Sequence, residues 1–190
     1  MIVVPVQAFK GGQGTTTIAA ALGILAHERG HRTVVSSVGP DIASLFGICL
    51  QPDSAPTLLQ ICDGLSLNVF DLDYSPPDKC DVWIVDVEVV SGCPVSIPFR
   101  TITVTRNCTM ALHRAADFAA PYLGNDLVVI TEPRRCVSEK IIESTFGMPV
   151  AARVAVTPEV AAAADAGDFG RLPRTLRRNL TPLADSCFGA

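Results

Sequence analysis

The chain lacks any long apolar run. Its hydrophobic segments are short and broken by glycine, proline and charge, although 48% of its 190 residues are hydrophobic. None approaches the roughly 18 apolar residues of a membrane-spanning helix. A basic amino-terminal region is also missing. Met1 leads at once into the apolar run Ile2-Val3-Val4-Pro5-Val6, which argues against a secretion signal and sets the expectation of a cytoplasmic protein with no membrane contact. There is no excess of basic charge, and a formal net charge of −4 sets aside a uniformly basic nucleic-acid binder. Paired metal-ligand spacings are absent too. Cys49, Cys62, Cys80, Cys93, Cys108, Cys136 and Cys187 form no C-x-x-C pair and are odd in number. That pattern weighs against a disulfide framework or a zinc site and favours buried small hydrophobes. His27, His31 and His113 have no ligand spacing, and none is assigned a catalytic role.

What remains fits a single domain over 1–190, long enough to bury a core. Its most informative stretch is Phe9-Lys10-Gly11-Gly12-Gln13-Gly14-Thr15-Thr16-Thr17, which follows the first apolar run and opens a helical pattern over 18–29. Strand, glycine-rich loop and helix, in that order, are the layout of a phosphate-binding loop; the alternative is a glycine-rich turn on a flavodoxin-like domain that binds no nucleotide. Closely spaced glycines let the backbone curl toward an anion. The curled N–H groups and the helix N-terminus present donors and a favourable dipole. Thr16 or Thr17 offers a hydroxyl for a magnesium ion bridging phosphates.

Further along, Ile18, Ala21, Leu22 and Leu25 form a helical core stripe, and Gly30 is a plausible stop. A second strand begins at Thr33-Val34-Val35. Strand, helix and strand imply a right-handed crossover and a parallel sheet, whose carboxyl-end loops form the binding crevice. Asp41 reads as the N-cap of a short turn over 42–46. A short helix is expected over 56–62, a strand over 65–70 and a polar loop over 71–79. Asp81-Val82-Trp83-Ile84-Val85-Asp86 is an apolar strand ending in a carboxylate able to orient a magnesium-bound water or a threonine hydroxyl. Glu88 stands two residues on. Strands over 101–105, 126–131 and 150–156 alternate with helices over 108–120, with Phe118 in its core, and 137–146. Arg171, Arg174, Arg177 and Arg178 cluster near the carboxyl terminus. On a helix starting at Pro173 the last three share one face, and Leu172, Leu176 and Leu180 the other. This face is either a phosphate-binding patch or a solvated surface. Residues 181–190 are too short and mixed for a membrane-lying helix.

The loop resembles the deviant phosphate loop K-G-G-x-G-K-[ST]-[ST] of the ParA/MinD family of dimerising ATPases, matching it at Lys10, Gly11, Gly12, Gly14, Thr16 and Thr17. The strand ending at Asp86 and the segment Thr157-Pro158-Glu159 to Gly167 resemble two later signatures of that family. The resemblance runs in order through nearly the whole chain. It implies a three-layer, doubly wound, mostly parallel sheet that binds ATP or ADP with Mg2+. Residues 10–17, including Gln13 and Thr15, would cradle the phosphates, and backbone around Pro158 would flank the adenine. Thr16 and Asp86 would hold magnesium. Lys10 would cross to the partner's nucleotide in an ATP-dependent homodimer. It further implies non-specific DNA binding through Arg171, Arg174, Arg177 and Arg178, nucleoid association, and a ParB-like centromere-binding partner, as in small partition ATPases built of this domain alone.

The chain departs from the family pattern at defined positions. Thr15 stands where the loop lysine belongs, Ser37 and Gly39 where switch carboxylates belong, with Asp41 nearby as the candidate to position water in their stead, and Thr131-Glu132-Pro133 where an adenine-reading Asn is usual. A charge-assisted contact contributes on the order of 1.5–3 kcal/mol, so losing the lysine weakens nucleotide binding without abolishing it. Two functions stay open: a ParA-like ATPase that partitions DNA, or a slow or non-catalytic localisation scaffold similar to the CpaE/TadZ-like branch.

Overall fold

The computed structural model describes residues 1–51, 55–70, 77–87, 100–117 and 124–189. Its elements are β1 (Ile2–Gln7), α1 (Thr15–Glu28), β2 (Thr33–Ser37), α2 (Asp41–Ser44), β3 (Thr57–Cys62), β4 (Leu65–Val69) and β5 (Val82–Val87). These are followed by β6 (Ile102–Arg106), α3 (Thr109–Ala116), β7 (Asp126–Thr131), α4 (Glu139–Phe146), β8 (Val150–Ala155), α5 (Pro158–Ala166) and α6 (Arg174–Phe188).

All eight strands join one sheet in the order β3-β4-β2-β5-β1-β6-β7-β8. Every neighbouring pair is parallel except β3 with β4. The strands alternate their side chains between two faces. Val128 and Ile130 of β7 join the main core with α1 and α6, while Leu127 and Val129 pack with Leu112 and Ala115 of α3 and Ile142 and Phe146 of α4. Helices therefore cover both faces, and the expected three-layer, mostly parallel architecture is present.

The crossovers leave β1 toward β2 on one side, while β6 pairs with β1 on the other. The carboxyl end of β1 is thus the switch point where such sheets form a crevice. Arg100 and Asp126 brace the amino ends of β6 and β7, with Nη2 donating to Oδ1 at 2.8 Å.

α1 differs from the expected single stripe. Every residue from Ile18 to Ala26 is buried, because the sheet covers one side and α2 and α6 cover the others. Its small residues allow this. A Cβ on Gly23 would stand 2.5 Å from Val35 Cγ2, so the helix lies closer to β2 than an alanine permits.

Four further expectations are corrected. Residues 57–62 form a strand, not a helix. Its exposure alternates residue by residue, and it turns through Asp63-Gly64 into β4, with Cys62 opposite Leu65. Asp-Gly is a strong two-residue hairpin signal, and pairing with β4 overrides the helical reading. The described cysteines are not buried: Cys49, Cys62 and Cys136 are exposed, Cys80, Cys108 and Cys187 half-buried, and all six are free. Cys49 and Cys136 lie in loops, Cys62 ends β3 and Cys108 precedes α3, while Cys80 and Cys187 pack only partly against the core. Asp41 is not an N-cap, since Pro40 takes that place and Asp41 is the first residue of α2. The helix expected over 137–146 starts at Glu139, after Ser138. Phe118, Cys93 and most of the 71–79 loop lie outside the described residues.

The carboxyl-terminal helix is longer than expected. Leu176, Leu180, Leu183, Ala184 and Phe188 are buried along its length, with Leu172 buried just before it. Its far end is pinned by Arg29, which donates from Nε to the Gly189 carbonyl at 3.0 Å and pairs with Asp185. The His31 ring also lies edge-on to Phe188. α6 is therefore part of the core and not an appendage. Leu180→Ala is expected to destabilise the domain by about 2–5 kcal/mol in urea unfolding. A loss under about 1 kcal/mol would mean that α6 is detachable.

Candidate functional site

β1 delivers the chain to Phe9, and Phe9 anchors the loop. Its ring is buried and lies 6.0 Å from that of Phe146. An apolar anchor thus occupies the position of the usual first glycine. Gly12 and Gly14 have φ of +73° and +93°, values that L-residues adopt at a cost. At Gly14 space is also short, because an added Cβ would stand 2.5 Å from Ile130 Cδ1. Gln13, between them, points inward. It is buried, and its Oε1 accepts the backbone N–H of Arg106 at 2.9 Å. One polar bond thereby ties the loop to the end of β6. Gly14 then precedes the first turn of α1, which carries Thr15, Thr16 and Thr17.

Asp86 is 2% exposed, near the carboxyl end of β5, opposite Val6 and Ser37 on the neighbouring strands. Thr16 Oγ1 donates to its Oδ2 at 2.7 Å, and Ser37 Oγ donates to the same oxygen at 3.2 Å. Sequence reading paired Thr16 with Asp86, and the fold brings them together. It did not anticipate Ser37, which here supports the carboxylate that an acid in its place would repel.

Gly11, Gly12, Gly14, Thr15, Thr16, Asp41 and Arg106 line a cleft of about 330 Å³. Arg106, from β6, was missed in the sequence. The signal was a basic residue at the end of a strand that alternates apolar residues with threonine, but its relevance depends on β6 lying beside β1. Its guanidinium pairs with Glu132 through Nη1, and Arg135 donates from Nε to the other Glu132 oxygen at 2.7 Å. A hydrogen bond from Arg135 holds the Glu132 carboxyl below its ordinary range, with the Arg106 charge adding to it and burial opposing it. Asn107 fixes Glu132 in turn, its Oδ1 accepting the Glu132 N–H at 2.9 Å. Arg106 Nε is buried without a hydrogen-bond partner among the described residues.

Other sequence candidates lie elsewhere. Lys10 is exposed, its Nζ 3.5 Å from the Gly11 carbonyl, and it does not line the cleft. Gln13 and Thr17 do not line it either. Pro158 opens α5 after Thr157, whose hydroxyl caps Val160 N–H at 3.3 Å, and it too stands outside the cleft lining. Glu88 is outside the described residues. Arg171, Arg174 and Arg178 are exposed. Arg177 is engaged by Glu28, with Nη2 to Oε1 at 2.8 Å. Arg174, Arg177 and Arg178 do line one shallow groove with Thr175, Thr181 and Pro182.

A fit to magnesium follows from donor chemistry. A threonine hydroxyl and a carboxylate held together are hard oxygen ligands, and Mg2+ takes few of these beside phosphate and water. Among the described residues no group of three or more His, Cys, Asp or Glu side chains could hold a metal by itself. No described helix is long and apolar enough to cross a membrane.

No family model and no curated protein matches the chain. Solved structures do. A chain of the MinC:MinD cell division protein complex of Aquifex aeolicus has a TM-score of 0.76 at 14% identity, covering 100% of this chain and 97% of that one. The septum site-determining protein MinD of Pyrococcus horikoshii, complexed with Mg-ADP, has a TM-score of 0.70 at 13% identity, covering 97% and 95%. A ParA family ATPase of Chlorobium tepidum has a TM-score of 0.67 at 16% identity, covering 96% and 97%. The fold of this chain is that of the MinD and ParA ATPases.

The loop geometry is open to a direct check. Gly14→Ala combines positive φ with a clash at Ile130, and a loss of about 1–3 kcal/mol in chemical unfolding is expected. An unchanged midpoint would mean that the loop does not hold this conformation.

Proposed function

We propose that this chain binds ATP and ADP with Mg2+ at the glycine loop and works as a ParA-like positioning protein that partitions DNA. The observation that carries the reading is the 2.7 Å hydrogen bond from Thr16 to Asp86, made above a glycine loop at the switch point of the sheet. A buried carboxylate reaching a hydroxyl in the first turn after such a loop has a ready use in holding magnesium beside phosphates. The MinD of Pyrococcus horikoshii, which shares the fold, was solved with Mg-ADP.

In this reading Gly11, Gly12, Gly14 and Thr15 supply backbone donors to the phosphates, with Gln13 keeping the loop in register. Lys10, exposed and outside the cleft, is free to reach a second protomer's nucleotide in an ATP-dependent homodimer. Pro158 lies on the adenine side. Arg171, Arg174 and Arg178 form a non-specific DNA-binding face on the nucleoid, with Arg177 contributing less because Glu28 neutralises it. A ParB-like protein is the expected partner for centromere recognition.

A second reading, a slow or non-catalytic localisation scaffold, is favoured by one observation. Thr15 lines the cleft where the loop lysine belongs, so the fold keeps a cradle and loses its usual charge.

ATP turnover measured with and without DNA separates the two readings. DNA-stimulated hydrolysis that Asp86→Asn lowers at least tenfold supports the partition ATPase. Mg-ATP binding without turnover in either condition supports the scaffold. DNA retention is expected to fall as salt rises, and Arg174→Ala with Arg178→Ala should flatten the log–log salt slope by about 2. Retention unaffected by the double substitution would overturn the DNA-binding face.

A further inference from the structure

We propose that Arg106 supplies the phosphate-binding cation of the cleft, doing from β6 the work that the loop lysine does elsewhere and that Thr15 cannot do here. The inference rests on the nucleotide-binding reading of the loop and goes beyond it by naming the charge.

Among the described residues that line the cleft, Arg106 is the one cation; the others are glycines, threonines and the exposed Asp41. Lys10 is not among them. A nucleotide polyphosphate carries several negative charges, and backbone donors alone leave them only partly balanced. An arginine answers that need with a planar fork matched to phosphate oxygens.

Arg106 is also built in, where a surface side chain would be free to wander. Its backbone N–H is bonded to Gln13 Oε1 at 2.9 Å, so the residue is registered to the loop itself. Its guanidinium is steered by Glu132, whose backbone N–H is held by Asn107 at 2.9 Å. Glu132 is shared: one oxygen takes Arg106 and the other Arg135. Two guanidinium groups on one carboxylate leave a net positive charge at the rim of the cleft. Of the five N–H donors of an arginine, Glu132 engages Nη1, and the side chain is 34% exposed where it lines the cleft. Glu132 orients the group through one nitrogen and shares its own charge with Arg135.

The position is also chemically distinct from that of a loop lysine. A lysine at Thr15 would rise from the first turn of α1, whereas Arg106 approaches from the neighbouring strand. Charge restored at Thr15 can therefore replace charge lost at Arg106 without rebuilding any contact of Arg106. This separates a role as phosphate ligand from a role as structural brace.

The test is equilibrium binding of Mg-ATP, Mg-ADP and inorganic tripolyphosphate to the full chain, with thermal unfolding recorded for each variant. Arg106→Ala is expected to weaken ATP and tripolyphosphate binding about ten- to a hundred-fold, and Arg106→Lys to weaken it less. Thr15→Lys in the Arg106→Ala background is expected to recover at least tenfold. Wild type that binds while Arg106→Ala binds equally well overturns the inference and leaves the loop reading intact. A loss in Arg106→Ala that Thr15→Lys fails to recover also overturns it, because the role would then be structural. If Arg106→Ala unfolds, Arg106→Gln takes its place under the same criteria. Wild type that binds none of the three probes overturns both this inference and the nucleotide reading.

Discussion

Helix α1 is enclosed on every side from Ile18 to Ala26, and much of the site follows from that enclosure. A helix that can neither slide nor tilt fixes where its N-terminus stands. Gly14 must turn at that point with φ of +93°, and Ile130 leaves its backbone no room for a side chain. Thr16 is then carried to Asp86, which β5 presents between β1 and β2. The apolar contacts that bury α1 are worth far more than the hydrogen bonds of the loop. The scaffold therefore holds the loop in shape, and the polar groups only refine it. Such rigidity is what a preorganised anion cradle requires.

Charge is distributed around this cradle in an unusual way. The first turn of α1 offers three threonines and no lysine, and the switch segment offers Ser37 and Gly39 where carboxylates are usual. The compensating groups arrive from the other wall of the cleft, at the carboxyl ends of β6 and β7. There Arg106, Glu132 and Arg135 form a cluster tied to the loop through Gln13. A cleft with both helix-dipole donors and a strand-borne guanidinium can hold phosphates. Among the described residues that line it, Asp41 is the one carboxylate, and it stands exposed at the start of a four-residue helix. In the proposed reading, phosphate binding would draw on many groups of the cleft and hydrolysis on few.

Much of this was legible in the sequence because it is local. The strand–loop–helix order, the glycine spacing and the apolar strand carrying Asp86 depend on neighbours in the chain, and all are present, with α1 beginning three residues earlier than expected, at Thr15, and β5 running one residue further, to Val87. What was not legible depends on partners far apart in sequence. Residues 57–62 look helical until β4 pairs with them, although Asp63-Gly64 carried the hairpin signal. The full burial of α1 follows from α6 packing on it, roughly 150 residues later. Arg106 reads as an ordinary strand-end residue until β6 is known to lie beside β1. The cysteines were misjudged because composition ranks them as core residues, while their places at strand ends and caps depend on the fold. The basic face was half legible: the arginines share a surface, but Glu28, which engages Arg177, sits on another helix.

The central claim is that the loop over 10–17 is a working phosphate cradle. Amide hydrogen exchange on the full chain, with and without Mg-ATP, tests it most directly. Addition of Mg-ATP is expected to slow exchange at the amides of Gly11 to Thr16 and at Asp86, with most of the sheet unchanged. Bound nucleotide with protection elsewhere and none in this loop would contradict it, as would the absence of any response at millimolar Mg-ATP.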